Sequence, residues 1–245
     1  MFRWAFRVVY VPWVVLSFIV TILPVALAVA LISLFRSKHG ERLTHKVIAA
    51  WSRVWLLVIG MPVGIVSAHP PGGTYIIVAN HISYIDSIIL FSAISSHFKA
   101  LGKVEIAAIP IVGFLYRQIA ILIDRSSAAS RAASMKKMLQ TLQSGCSIVI
   151  FPEGTFNETN QPLLPFHDGA FRLAATSGVA ILPLIIPDTV ARWHYSAWWK
   201  FTPGRNRAFF LPPVSPVGAQ PEQIRELKQQ VADEMQAALV ALRAK

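Results

Sequence analysis

The sequence is poor in cysteine and in acid. One cysteine, Cys146, stands among 245 residues, which excludes an intramolecular disulfide and any all-cysteine metal cage. Asp and Glu total 12 against 23 Lys and Arg, and charged residues make up only 14% of the chain. The net charge of +11 is therefore thinly spread over a largely apolar chain, 54% hydrophobic by composition. Dense Lys/Arg clusters on a polar background are missing, so nucleic acid is excluded as a partner and an anionic lipid surface is favoured. Internal repeats and low-complexity segments are missing as well. So is a Gly-x-Ser-x-Gly elbow, which argues against a serine acyl-enzyme. Cys146 lies just before an apolar strand and reads as a small core residue, not a nucleophile.

What is present begins with a long uncharged run, Val8 to Phe35. As a helix it would reach roughly 40 Å, enough to cross a hydrocarbon core of roughly 30 Å with tilt. Arg3 and Arg7 precede it, and Arg36, Lys38, Arg42 and Lys46 follow. Pro12 and Pro24 leave both a kinked span and a re-entrant hairpin open. Ala26–Ala28 has the look of a cleavage site, but the apolar run continues past it, so the segment reads as an anchor and not as a secretory leader. A second apolar stretch, Val47 to Ala68, carries Trp51 and Trp55 on one helical face beside Arg53. It suits either the headgroup zone or an ordinary buried helix. The run Arg192–Phe201, RWHYSAWWKF, invites the same two readings: a further interfacial contact, or an aromatic patch folded over the core.

After the turn signal HPPGG at 69–73 the pattern changes to short β-rich runs alternating with helical ones. Strands are expected at 74–79, 120–124, 147–151, 179–187 and 207–211. Helices are expected at 87–95, 127–145, 169–178 and 221–243, the last with Ile224, Leu227, Val231 and Leu239 on its apolar side. The expected fold is α/β: a layered catalytic domain around a mostly parallel or mixed sheet, residues 69–245, behind an N-terminal membrane-anchoring helical segment, residues 1–68.

Functional groups in such sheets gather beyond the carboxyl ends of strands. His81 stands there, in VANHISYIDS, with Asp86 five residues on. A neutral His can accept a proton, and a carboxylate can hold the imidazolium that forms. Taken alone, the spacing fits a capping or surface His with an unrelated Asp more readily. Three further blocks change this: ILIDRSS, ending a strand in Asp124 and Arg125; IVIFPEGTFN, ending the next in Phe151, Pro152, Glu153, Gly154 and Thr155; and the Pro-punctuated ILPLIIP. In this order, across Ile76 to Pro187, the blocks resemble those of the 1-acylglycerol-3-phosphate acyltransferases within the wider glycerolipid acyltransferase group.

The resemblance implies transfer of a fatty acyl group from a thioester to the sn-2 hydroxyl of 1-acylglycerol-3-phosphate, giving phosphatidate. His81 would be the general base and Asp86 its orienting partner. Arg125 would grip the acceptor phosphate, with Lys103 as a second positive charge, and Glu153, Gly154 and Thr155 would help form the acceptor site. Acyl-CoA or acyl-acyl carrier protein would be the co-substrate, with no cofactor and no metal. The partners would be membrane lipids and the lysolipid acceptor. The protein would sit at the cell membrane with its catalytic domain on the cytoplasmic side, where its thioester donors are made.

Two departures stand out. Phe156 occupies the place where the family commonly has Arg after Phe-Pro-Glu-Gly-Thr, and His167 the place of a Lys before the later Gly-Ala. They leave open another lysolipid, such as a lyso-aminolipid, as acceptor. They also leave open a non-catalytic lipid-binding protein that kept the fold, although such a protein has no need of a base beside a carboxylate.

Overall fold

In the computed structural model, residues 2–35, 37–67 and 72–243 are described; most of the turn signal at 69–73 lies outside them. The elements, in chain order, are α1 (Phe2–Ser33), α2 (Lys38–Val58), β1 (Val63–Ile65), β2 (Ile76–Ala79), α3 (Asp86–Ala93), β3 (Phe98–Lys103), α4 (Val112–Ile119), β4 (Ala120–Ile123), α5 (Ala128–Gln143), β5 (Ser147–Ile150), α6 (Gly169–Ser177), β6 (Ile181–Ile185), α7 (Thr189–Arg192), β7 (Asn206–Phe210) and α8 (Pro221–Arg243). They group into two compact units: Met1–Ile65, Ile82–Ser95 and Pro187–Arg207 in the first, and Val66–His81, Ser96–Ile186 and Ala208–Lys245 in the second.

In the first unit α1 continues as helix through Pro12 and Pro24. Its stretch Phe6–Ser33 is long and apolar enough to cross a membrane. Ser37 caps α2 by accepting the Gly40 N–H at 3.0 Å, which reverses the chain within a few residues. The returning helix packs on α1. Trp51 and Trp55 stack on each other at 5.7 Å and both meet Phe18 edge-on. Their indole N–H groups donate to Thr21 and Ser17 of α1 at 3.0 and 3.2 Å. The two tryptophans therefore serve helix packing. In the 192–201 run, Trp193 packs on Phe201 and Tyr84, while Trp198 and Trp199 remain 59% and 51% exposed.

The second unit carries the α/β layer. β2 lies parallel between β5 and β6, β5 pairs parallel with β3 and β3 with β4, while β7 runs antiparallel to β6. The sheet is thus mixed and mostly parallel, as the alternating pattern predicts. Alternation along the strands sends Ile76, Val78, Ile148, Ile150, Ile181 and Ile185 into one core. Met138 and Leu142 of α5, Phe171 and Leu173 of α6, and Leu227, Val231 and Met235 of α8 cover them. Each such side chain contributes about 1.5–3 kcal/mol on burial, so these helices fix the plane beyond whose carboxyl edge the site lies. Gly178, at φ +69°, ends α6 in the left-handed conformation and turns the chain into β6. Cys146 is buried at 4% exposure, in agreement with its reading as a core residue.

Four elements depart from the sequence reading: β1, which follows the end of α2 at Val58 inside the run that reads as one helix, α7, for which the sequence reading has no counterpart, and β3 and α4. β3 (FKALGK) carries two lysines and a glycine and gives no strand signal, yet it lies between β5 and β4. Ladder bonds on both sides outweigh its weak propensity. The helix α4 is short, with a buried side of only Gly113 and Leu115.

Candidate active site

Asn80 and His81 follow directly on the last residue of β2. Asn80 is buried, and its side-chain amide donates to the Ile186 carbonyl at 3.2 Å and accepts the Ile186 N–H at 2.8 Å. It locks the ends of β2 and β6 together and so fixes where the chain leaves the sheet. The sequence reading assigned it no role; an amide one residue before the proposed base is the signal that could have pointed to it.

His81 is held on several sides within the second unit. Its backbone N–H donates to Glu153 Oε1 at 2.8 Å, and its carbonyl accepts the Asn157 N–H at 2.7 Å. Its ring stacks on Phe151, with centroids 3.9 Å apart and planes 10° off parallel. Phe156 meets the same ring at 4.3 Å and 60°. The residue that replaces the family's usual arginine is thus an aromatic contact of the imidazole. The result is an imidazole whose orientation is set before any ligand arrives.

Glu153 is only 3% exposed. One carboxylate oxygen takes the His81 N–H, and the other takes the Leu164 N–H at 2.8 Å. It therefore ties the turn after β5 to the residue after β2. A buried carboxylate is tolerated because charge-assisted bonds satisfy it.

Asp86, in the first unit, is the first residue of α3 and is fully buried. Its Oδ2 accepts the N–H of Ile82 at 2.8 Å and of Ser83 at 2.9 Å, the residues that immediately follow His81. The carboxylate folds back over the start of its own helix, where the helix dipole favours a negative charge.

Gly154 sits at φ +74°. A Cβ there would lie 2.8 Å from His167 Cδ2 and 3.3 Å from Arg125 Nη1, so only glycine lets both side chains approach. The Arg125 guanidinium donates to the Gly154 carbonyl. Arg125, Gly154 and His167 also line a cavity of about 570 Å³, shared with Phe151 and Pro152 and with residues of α5 and α6. Thr155 is exposed beside them. Lys103 ends β3, its side chain 56% exposed and paired with Glu105 at 3.4 Å, and it is not among the described residues lining the cavity. Of the residues singled out from sequence, the second unit brings together His81, Glu153, Gly154 and Arg125.

The Acyltransferase family profile matches residues 63–187.

 The residues described above, from Asn80 to Ile186, lie inside that match. The chain is 31% identical over 180 residues to the 1-acyl-sn-glycerol-3-phosphate acyltransferase alpha of Ovis aries, covering 72% of this chain and 62% of that one. It is 29% identical over 164 residues to a 1-acyl-sn-glycerol-3-phosphate acyltransferase of Limnanthes douglasii, covering 66% of this chain and 57% of that one. The chain thus spans about three fifths of the length of these relatives. A crystal structure of the 1-acyl-sn-glycerophosphate acyltransferase PlsC from Thermotoga maritima superposes with a TM-score of 0.75 at 21% identity, covering 100% of this chain and 98% of that one, and so shares its fold.

Proposed function

Because the chain belongs to the Acyltransferase family, we propose that it moves a fatty acyl group from acyl-CoA or acyl-acyl carrier protein to the sn-2 hydroxyl of 1-acylglycerol-3-phosphate, giving phosphatidate. The observation that carries this reading is the fixed imidazole of His81, clamped by Phe151 and Phe156 and tied through its backbone to buried Glu153. His81 takes the proton of the acceptor hydroxyl as its oxygen attacks the thioester carbonyl. The tetrahedral intermediate collapses, the C–S bond breaks, and the imidazolium returns the proton to the departing thiolate. Asp86 stabilises the imidazolium between these two transfers. Glu153 acts as a positioning residue through the His81 backbone, and Arg125 supplies charge for the acceptor phosphate.

The reaction uses no cofactor beyond the thioester co-substrate. Residues 1–68 serve as the membrane anchor and residues 69–245 as the catalytic region, facing the cytoplasm. The test is product identification: membranes containing the full chain, given lysophosphatidate and either thioester, should form phosphatidate. Turnover of a lyso-aminolipid well above that of lysophosphatidate overturns the acceptor, and no acyl transfer to any lysolipid overturns the activity.

A further inference from the structure

The family's usual arginine and lysine near the acceptor headgroup are Phe156 and His167 in this chain, and Phe156 is committed to the His81 ring. Other cations stand elsewhere in the second unit. The cavity beside Gly154 is lined by Arg125, by Arg131 of α5 and by Arg172 of α6. Arg131 reaches across to donate to the Arg125 main-chain carbonyl at 2.6 Å, and both residues line the cavity. Each guanidinium has five N–H donors, so these single bonds leave most of them for a ligand.

Among the described lining residues the guanidiniums face one carboxylate, Asp168. That carboxylate is bound first by Lys228 of α8, at 2.7 Å, and lies farther from Arg172, at 3.6 Å. The mouth is therefore strongly cationic. The wall behind it is apolar, formed by Leu101, Ile123, Met135, Met138 and Ile150. Cations in front of an apolar wall suit an anionic amphiphile better than a fully soluble polyanion. Phe151 belongs both to that wall and to the His81 stack, so a ligand seated there is one ring away from the base.

We infer that Arg131 and Arg172 are specificity-determining residues for the acceptor, holding its phosphomonoester together with Arg125 in place of the cations lost at Phe156 and His167. This assignment rests on the reading of the acceptor as 1-acylglycerol-3-phosphate. It requires two cations on separate helices to act on one headgroup, and their effects on acceptor binding to exceed their effects on the chemical step.

The test uses the full chain in detergent, with Arg131→Gln, Arg172→Gln, the double variant and the corresponding lysine variants. Each glutamine variant should raise KM for lysophosphatidate about fivefold, and the double variant about ten- to a hundredfold, with kcat within about threefold. KM for the thioester donor should stay unchanged, and the lysine variants should recover most of the loss. Binding is measured in parallel without donor, with lysophosphatidate against lysophosphatidylcholine as probes. Wild type should prefer lysophosphatidate, and the double variant should lose that preference. Unchanged acceptor KM and unchanged binding in the double variant overturn the assignment. So does a rise in donor KM in place of acceptor KM, or a wild type with no preference for the phosphomonoester. Selective, arginine-dependent binding of lysophosphatidate without acyl transfer would leave the assignment standing and remove the proposed activity.

Discussion

The surroundings of His81 and the mouth of the adjoining cavity are built in opposite ways. Around His81 the polar groups are buried and engaged: Glu153 uses both carboxylate oxygens on backbone N–H groups, and Asn80 uses both ends of its amide. Two aromatic rings fix the imidazole. At the cavity mouth Arg125, Arg131 and Arg172 are exposed, and water screens their charge. A buried, fully bonded group holds atoms where chemistry needs them and is costly to disturb. An exposed cation attracts and sorts ligands at little structural cost. Changes in the first region should therefore appear in kcat, and changes in the second in KM.

The largest effect that would sharpen this contrast is at Asp86. Asp86→Asn removes the charge proposed to stabilise the imidazolium and should cut kcat by a factor on the order of 10² or more, with acceptor KM little changed. Steady-state kinetics decide it, and a loss confined to KM would break the contrast. Next comes Glu153→Gln. Its amide NH2 must face one of the two backbone N–H donors, so kcat should fall about tenfold and the thermal midpoint should drop as well. Unfolding followed by circular dichroism, alongside kinetics, measures both.

Phe156→Arg is the substitution that sets the regions against each other. It restores the family's cation but removes an edge contact from His81. An aromatic pair contributes about 0.5–1.5 kcal/mol, so kcat should fall about threefold to tenfold, while KM for lysophosphatidate stays level or falls. A variant with higher kcat than wild type would show that the Phe156 contact does nothing for the base.

The smallest effect is at the rim. The Lys228 ammonium, hydrogen-bonded to Asp168, holds that carboxyl below the usual carboxylate range. A depressed carboxylate pKa contributes stability above the unfolded-state value and loses it as pH falls through the folded-state value. Lys228→Met should therefore lower the thermal midpoint at neutral pH by only about 1–2 °C, since the pair is partly exposed. The gap to wild type should close in acid. A gap that widened in acid would contradict the sign.

The same contrast explains what could be read from the sequence. β2, β5 and β6 are short apolar runs bounded by turns, and α5, α6 and α8 carry periodic faces, so these elements were legible. β3 was not, because its order comes from neighbours on both sides and not from its own residues. His81, Asp86, Arg125 and Glu153 were legible as motif positions, since the motif lies in contiguous blocks. The aromatic clamp was not: Phe156 looked like a lost cation, and only the turn at Gly154 brings it onto the imidazole. Arg131 and Arg172 look like ordinary helix-surface arginines in sequence, and it is the packing of α5 beside α6 that gives them a common cavity.

The central claim is that the imidazole of His81 is the base for acyl transfer. The most direct measurement is the single-turnover rate of phosphatidate formation by wild type and His81→Ala, at equal protein levels and with lysophosphatidate and thioester both saturating. The account predicts loss of transfer by a factor on the order of 10³ or more, with lysophosphatidate binding retained. A rate within about tenfold of wild type would contradict it, because positioning alone does not replace a proton acceptor at the attacking hydroxyl.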